Sequence, residues 1–110
     1  MTRGFVYLKK FSDKWGKLGL TDGDLAPLEK FLLENPQAGD VLQGTGGIRK
    51  LRWTLPNKGK SGGIRILYVD LVIHEEIYIL DLFLKSEKEN LTGAERNNMK
   101  KAVTELKKGR

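Results

Sequence analysis

Six basic residues lie between Val41 and Val69 with no acidic residue among them: Arg49, Lys50, Arg52, Lys58, Lys60 and Arg65. They occupy the stretch GTGGIRKLRWTLPNKGKSGGIRILY, where basic and apolar side chains alternate on either side of a glycine-rich, lysine-bearing loop. Crowded cations do one kind of chemistry well. They neutralise an anionic ligand and stabilise negative charge that develops on it. The chain carries 20 Lys and Arg against 14 Asp and Glu, a net charge of +6. Outside this segment 14 basic residues face 14 acidic ones, so the excess sits in one quarter of the chain. That points to a localised anionic partner. Nucleic acid fits better than a membrane surface, because no amphipathic pattern has the broad apolar face that membrane binding needs. Other chemistries lack residues. His74 is the single histidine and sits in a turn, so a histidine pair is excluded. Cysteine is absent, which excludes thiolate zinc sites and disulfides. The carboxylates are scattered and indicate no metal or cofactor.

The elements that must position these cations can be read from periodicity. A length of 110 residues and 39% hydrophobic content allow one compact domain, 1–110, with a single core. No apolar run approaches the roughly 20 residues of a membrane span. The first residues lack the apolar stretch of a secretion signal, so a cytoplasmic protein is expected. Phe5 to Leu8 reads as a strand. Phe11, Trp15 and Leu18 recur at helical spacing, with Gly16 and Gly19 ending that helix. Leu25, Leu28, Phe31 and Leu32 mark a second helix capped by Asp24, with Pro27 in its first turn. Three strands follow at about 48–55, 64–72 and 77–84. TGAE, from Thr92 to Glu95, is a capping box that opens a last helix. The expected order is β-α-α-β-β-β-α: an α+β fold with a mostly antiparallel sheet and helices packed on one face.

Alternation assigns the faces. Leu51, Trp53, Ile64, Ile66, Tyr68, Leu80, Leu82 and Leu84 form the expected helix-covered set. The same register puts Lys50, Arg52, Arg65, Asp81 and Lys85 on an open cationic face, with Asp81 as a counter-charge for Arg52 or Arg65. Slipping one residue would drive Arg65 into the leucines, at a cost of several kcal/mol for an unpaired charge. Trp53 and Tyr68 are read as core residues rather than base-stacking platforms.

The segments NPQAGDVLQGTGGIRKLRW, GKSGGIRILY and LKSEKENLT resemble the RelE/HigB superfamily of bacterial toxins, in particular its HigB-like branch, and the similarity covers nearly the whole chain. The resemblance implies a compact RelE-like domain. It implies the toxin of a type II toxin–antitoxin system: a ribosome-dependent endoribonuclease that cuts mRNA. Its partners would be the ribosome, mRNA and a cognate antitoxin, commonly a helix-turn-helix protein. Within it, Arg65 takes the position that contacts the scissile phosphate. Lys50 and Arg52 form the neighbouring basic pair, with Arg49 at the strand edge. Lys85 and Lys88 match the basic cluster after the last strand. The chain departs from the pattern at Ser86, where many relatives have arginine, and in lacking a tyrosine or histidine in the residues that follow.

RNA supplies its own nucleophile, the 2′-OH, so cleavage needs alignment, a base, stabilisation of the phosphorane and help for the leaving 5′-oxygen. The expected roles are Arg65 for the phosphorane, Lys50 or Lys85 as base, and Lys88 or Arg52 near the leaving oxygen. Crowding among cations lowers the pKa of an ammonium, which is what a lysine base requires. Lys58 and Lys60 are expected to touch the RNA backbone. The rival reading is a non-catalytic RNA- or ribosome-binding protein that still binds an antitoxin. A DNA-binding regulator is disfavoured, because the cations lie on strands and not on a recognition helix.

Overall fold

The strand GIRILYVDL is apolar on both faces from Ile66 to Val69, between its arginine and its aspartate, and the architecture follows from that. The structure, a computed structural model, describes residues 3–55, 63–87 and 90–108. The elements are β1 (Gly4–Tyr7), α1 (Lys9–Lys17), α2 (Leu25–Glu34), β2 (Asp40–Val41), β3 (Arg49–Thr54), β4 (Gly63–Leu71), β5 (Glu76–Leu84) and α3 (Gly93–Lys108). The expected order is present with one addition, β2. Two residues are too few to show alternation in a sequence.

Local signals explain the helices. α1 buries Phe11 and Trp15, four residues apart. It runs through Gly16, which was expected to end it, and stops before Gly19, whose φ of +79° suits glycine. Before α2, the Asp24 carboxylate accepts the Thr21 N–H at 2.8 Å. α2 buries Leu28 and Leu32 completely. α3 opens on the expected capping box. Thr92 Oγ1 accepts the Glu95 N–H at 3.1 Å, and Glu95 Oε1 accepts the Thr92 N–H at 2.9 Å.

The five strands form one mixed sheet in the order β1-β5-β4-β3-β2. β1 runs parallel to β5, and the other neighbours are antiparallel. Phe11, Trp15, Leu28 and Leu32 pack with Leu51, Ile64, Ile66, Tyr68, Ile77, Ile79 and Leu82 on one face. The opposite face holds a second core, in which Leu67, Val69, Leu71, Tyr78, Leu80 and Phe83 meet Val103 of α3. This corrects the expectation that all helices share one face. Leu67, Val69 and Leu71 leave β4 with apolar side chains on both sides, and a strand buried on both sides needs a cover on each.

β5 also departs from strict alternation. Leu67 pairs with Asp81, but Tyr68 pairs with Ile79, so Leu80 is the extra residue of a bulge. Ile77 and Ile79 therefore join Leu82 beneath α1 and α2, while Tyr78 and Leu80 turn to the α3 side. A single period of two, which placed Leu80 with Leu82, cannot register an inserted residue.

If both faces hold cores, Leu32→Ala and Leu67→Ala should each cost roughly 2–5 kcal/mol in urea unfolding. A one-sided core would leave the Leu67 variant near wild type.

Candidate nucleic-acid interface

β3 sends Lys50 and Arg52 to the α3 side of the sheet, and its register places them against β4 and β5. Arg52 lies opposite Arg65, which lies opposite Phe83. Lys50 lies opposite Leu67, which lies opposite Asp81. Two arginines directly opposed across strands destabilise the pairing. Arg52 is exposed, whereas Arg65 is only 5% exposed. Arg65 thus lies on the expected face but is covered there, a correction to its reading as an open surface cation. The turn after β5 brings in Lys85. This exposed residue donates its backbone N–H to the Gly63 carbonyl at 3.3 Å, at the start of β4. Lys50 is half-buried, and its Nζ donates to Asn90 Oδ1 at 3.1 Å. Lys50, Arg52, Arg65 and Lys85 are therefore gathered at one end of the sheet.

Arg49 stands apart. It pairs with Tyr68 on the α1–α2 face, and its Nη1 donates to the carbonyls of Gln37 (3.2 Å) and Gly39 (2.8 Å). Those bonds tie the loop after α2 to β3. The same loop is held by the Tyr68 hydroxyl, which accepts the Gly39 N–H at 3.0 Å and donates to the Pro36 carbonyl at 2.9 Å. Gly39 packs tightly against β3 here, since a Cβ would lie 3.0 Å from the Lys50 carbonyl oxygen. Lys58, Lys60 and Lys88 lie outside the described residues.

Asp81 does not balance the arginines. Its Oδ1 accepts Lys14 Nζ at 2.8 Å and the Leu82 N–H at 2.8 Å, and its Oδ2 lies 3.3 Å from Lys10 Nζ. The physical reason is the bulge at Leu80, together with the end of β1 pairing at Ile79. Beyond that point the edge of β5 lies open to α1, and Lys14 Nζ also donates to the Leu82 carbonyl at 3.0 Å. Sequence reasoning missed Lys10, Lys14 and Asn90. Nothing local signals contacts across separations of 67 and 40 residues.

The aromatic residues and the histidine are placed as expected from alternation and turn chemistry. Tyr68 is fully buried, and burial raises its pKa above the usual tyrosine range despite the Gly39 bond and nearby Arg49. A hydroxyl so held is no general base. Trp53 packs on Phe31 with ring centroids 5.6 Å apart. His74 follows the far end of β4, six residues of strand beyond Arg65, or about 20 Å. Among the described residues, no group of three His, Cys, Asp or Glu side chains is arranged to hold a metal ion. No helix among them is long and apolar enough to cross a membrane.

No family model matches the chain. Solved structures do resemble it. One is an arginine-to-alanine double mutant of the E. coli toxin RelE in the free state. It has a TM-score of 0.56 and 18% identity, over 80% of this chain and 88% of that one. Another is the intact E. coli RelBE toxin–antitoxin complex. It has a TM-score of 0.54 and 17% identity, over 81% of this chain and 100% of that one. The fold is RelE-like. The five-stranded sheet and three helices that present Arg52 and Lys85 thus form a RelE-like scaffold.

Arg65 and Arg52 should differ in what they do for this RelE-like domain. Arg65→Ala removes a buried side chain and should lower stability by about 1–3 kcal/mol, while Arg52→Ala should stay within about 0.5 kcal/mol in the same urea titration. Tyr68 adds a pH effect. With a raised folded pKa, it stays protonated above pH ~10 while the unfolded chain ionises, so the unfolded state gains. Stability should fall by up to ~1.4 kcal/mol per pH unit above pH ~10 from this residue. Comparing pH-dependent melts of wild type and Tyr68→Phe checks it.

Proposed function

We propose that the chain is the toxin of a type II toxin–antitoxin pair, in the HigB-like branch, and an endoribonuclease that cuts mRNA on the ribosome in the cytoplasm. The observation that carries this reading is the gathering of Lys50, Arg52, Arg65 and Lys85 at one end of a RelE-like sheet. A phosphate approaching that end meets several positive charges from one side. The neighbouring solved structures are a toxin and a toxin–antitoxin complex, which supports a cognate antitoxin as partner, here proposed to be a helix-turn-helix protein.

In the proposed reaction a base removes the 2′-OH proton and the 2′-oxygen attacks the adjacent phosphorus. The P–O5′ bond breaks, a 2′,3′-cyclic phosphate forms, and the 5′-oxygen leaves with a proton. Arg52 stands at the surface to meet the phosphate or the leaving oxygen. Arg65 stabilises the phosphorane from below it. A buried charge is screened less than an exposed one, so its field acts strongly on charge forming nearby. Lys50 or Lys85 takes the 2′-OH proton, and Lys88 remains the other candidate beside the leaving oxygen. Every step uses the RNA and these side chains, with no metal invoked. Lys58 and Lys60 complete the proposed backbone contacts. Arg49 is left out of the site, because its guanidinium holds the loop carbonyls on the other face.

One observation favours the non-catalytic alternative. Tyr68 is buried and His74 lies at the far end of the sheet, so neither can move protons at the cationic end. The two readings separate in one experiment. Wild-type protein is incubated with translating ribosomes and mRNA, and new 5′ ends are mapped. Discrete cuts bearing 5′-hydroxyls are expected, with Arg52→Ala slowing single-turnover cleavage about a hundredfold or more. Ribosome binding without new 5′ ends would leave the binding-only reading.

A further inference from the structure

The outer side of α3 carries a second concentration of positive charge. The helix holds Arg96, Lys100, Lys101, Lys107 and Lys108 against Glu95 and Glu105. Val103 is buried, and Met99 and Leu106 pack half-buried beside it, so one narrow stripe faces the sheet. At 3.6 residues per turn, the opposite side presents Asn97, Lys101, Thr104 and Lys108, with Lys100 alongside. All five are exposed. Two other cations fix the rotation of the helix. Arg96 Nη1 donates to the Gln43 carbonyl at 3.0 Å, and Lys107 Nζ donates to the Gly46 carbonyl at 3.2 Å. Among the described residues, Lys100, Lys101 and Lys108 form no ion pair. α3 covers the same sheet face that carries Lys50 and Arg52, so both cationic regions lie on one side of the sheet.

We propose that Asn97, Lys100, Lys101 and Lys108 form a second docking surface, for the phosphate backbone of structured RNA. The inference rests on the RNA-directed reading above and names what grips the folded RNA while the Arg52 end meets the strand to be cut. Lys101 and Lys108 lie seven residues apart, about 10.5 Å along the axis, on one line. Ammonium groups on flexible stems suit phosphates without demanding a base sequence. Thr104 turns its hydroxyl onto the Lys100 carbonyl at 2.9 Å, which leaves the Asn97 amide as the uncharged donor of the ridge. Glu105, one turn beyond Lys101, is the acidic residue at its margin. The ridge has no exposed apolar side chain at its centre. A protein partner needs such a centre, whereas a phosphate backbone does not.

The test uses two probes, purified ribosomes and a 20-base-pair RNA duplex, titrated at several salt concentrations. Lys101→Glu with Lys108→Glu should weaken binding to both at least tenfold at low salt, and flatten the plot of log affinity against log salt by about two. Lys101→Gln with Lys108→Gln should show the same direction with a smaller loss. A charge-matched control on the α1 and α2 surfaces, Lys17→Glu with Lys30→Glu, should leave duplex affinity near wild type. Circular dichroism checks that α3 still forms. Unchanged duplex affinity and slope in the ridge variants overturns the proposal and leaves a solvated helix face. Loss of antitoxin binding with duplex affinity intact overturns it too, in favour of a protein-docking surface. Ridge-dependent duplex binding by a wild-type protein that cuts no mRNA sustains the ridge and removes the nuclease reading.

Discussion

β4 is buried on both faces, and one of its buried residues is a charge. Ile64, Ile66 and Tyr68 face α1 and α2, while Leu67 and Val69 face α3. Burying such side chains stabilises the chain by roughly 1.5–3 kcal/mol each. That gain fixes the strand at the centre of the sheet and leaves Arg65 no freedom to choose another register. A one-residue slip would exchange the two apolar sets and carry the arginine under the helices. The position of the cationic end is therefore a consequence of the core.

The same constraint explains how the edges are managed. β1 pairs with β5 only as far as Ile79, and the bulge at Leu80 begins where that pairing stops. Asp81 then occupies the open edge with Lys14 and Lys10. The bulge spends the one acidic residue inside the β5 strand near the cations on a helix contact, which leaves Arg52 and Arg65 opposed without Asp81 between them. On the other side, Tyr68 and Arg49 bind the backbone of residues 36–39, which seats β2 against β3. The scaffold is tied by hydrogen bonds where strands are short and by apolar burial where they are long.

In the proposed RNA-cleaving reading this arrangement divides labour by exposure: exposed Arg52 and Lys85 are proposed to meet the substrate, and buried Arg65 is proposed to act through a field that solvent screens weakly. The α3 ridge extends positive charge along the same side of the sheet. Apolar burial sets where each cation stands, and charge sets what can dock there.

The sequence by itself determined the order of the elements other than β2, the apolar stripes of α1 and α2, the capping box of α3, the alternation of β3 and the first half of β4, and the acid-free basic segment between Val41 and Val69. These signals are local: a repeat of 3.6 or 2, a cap three residues away, a count of charges. Its resemblance to the RelE/HigB superfamily anticipated the RelE-like fold. Only the tertiary structure decided which helix covers which face, because β4 reads as apolar on both sides and gives no preference. Only it showed the bulge at Leu80, since an extra residue is defined against the partner strand. It also decided that Asp81 goes to Lys10 and Lys14, that Arg49 serves a loop, and that Arg65 is covered while Arg52 is not. Exposure and long-range pairing depend on what the rest of the chain brings alongside, and no spacing within a segment encodes that.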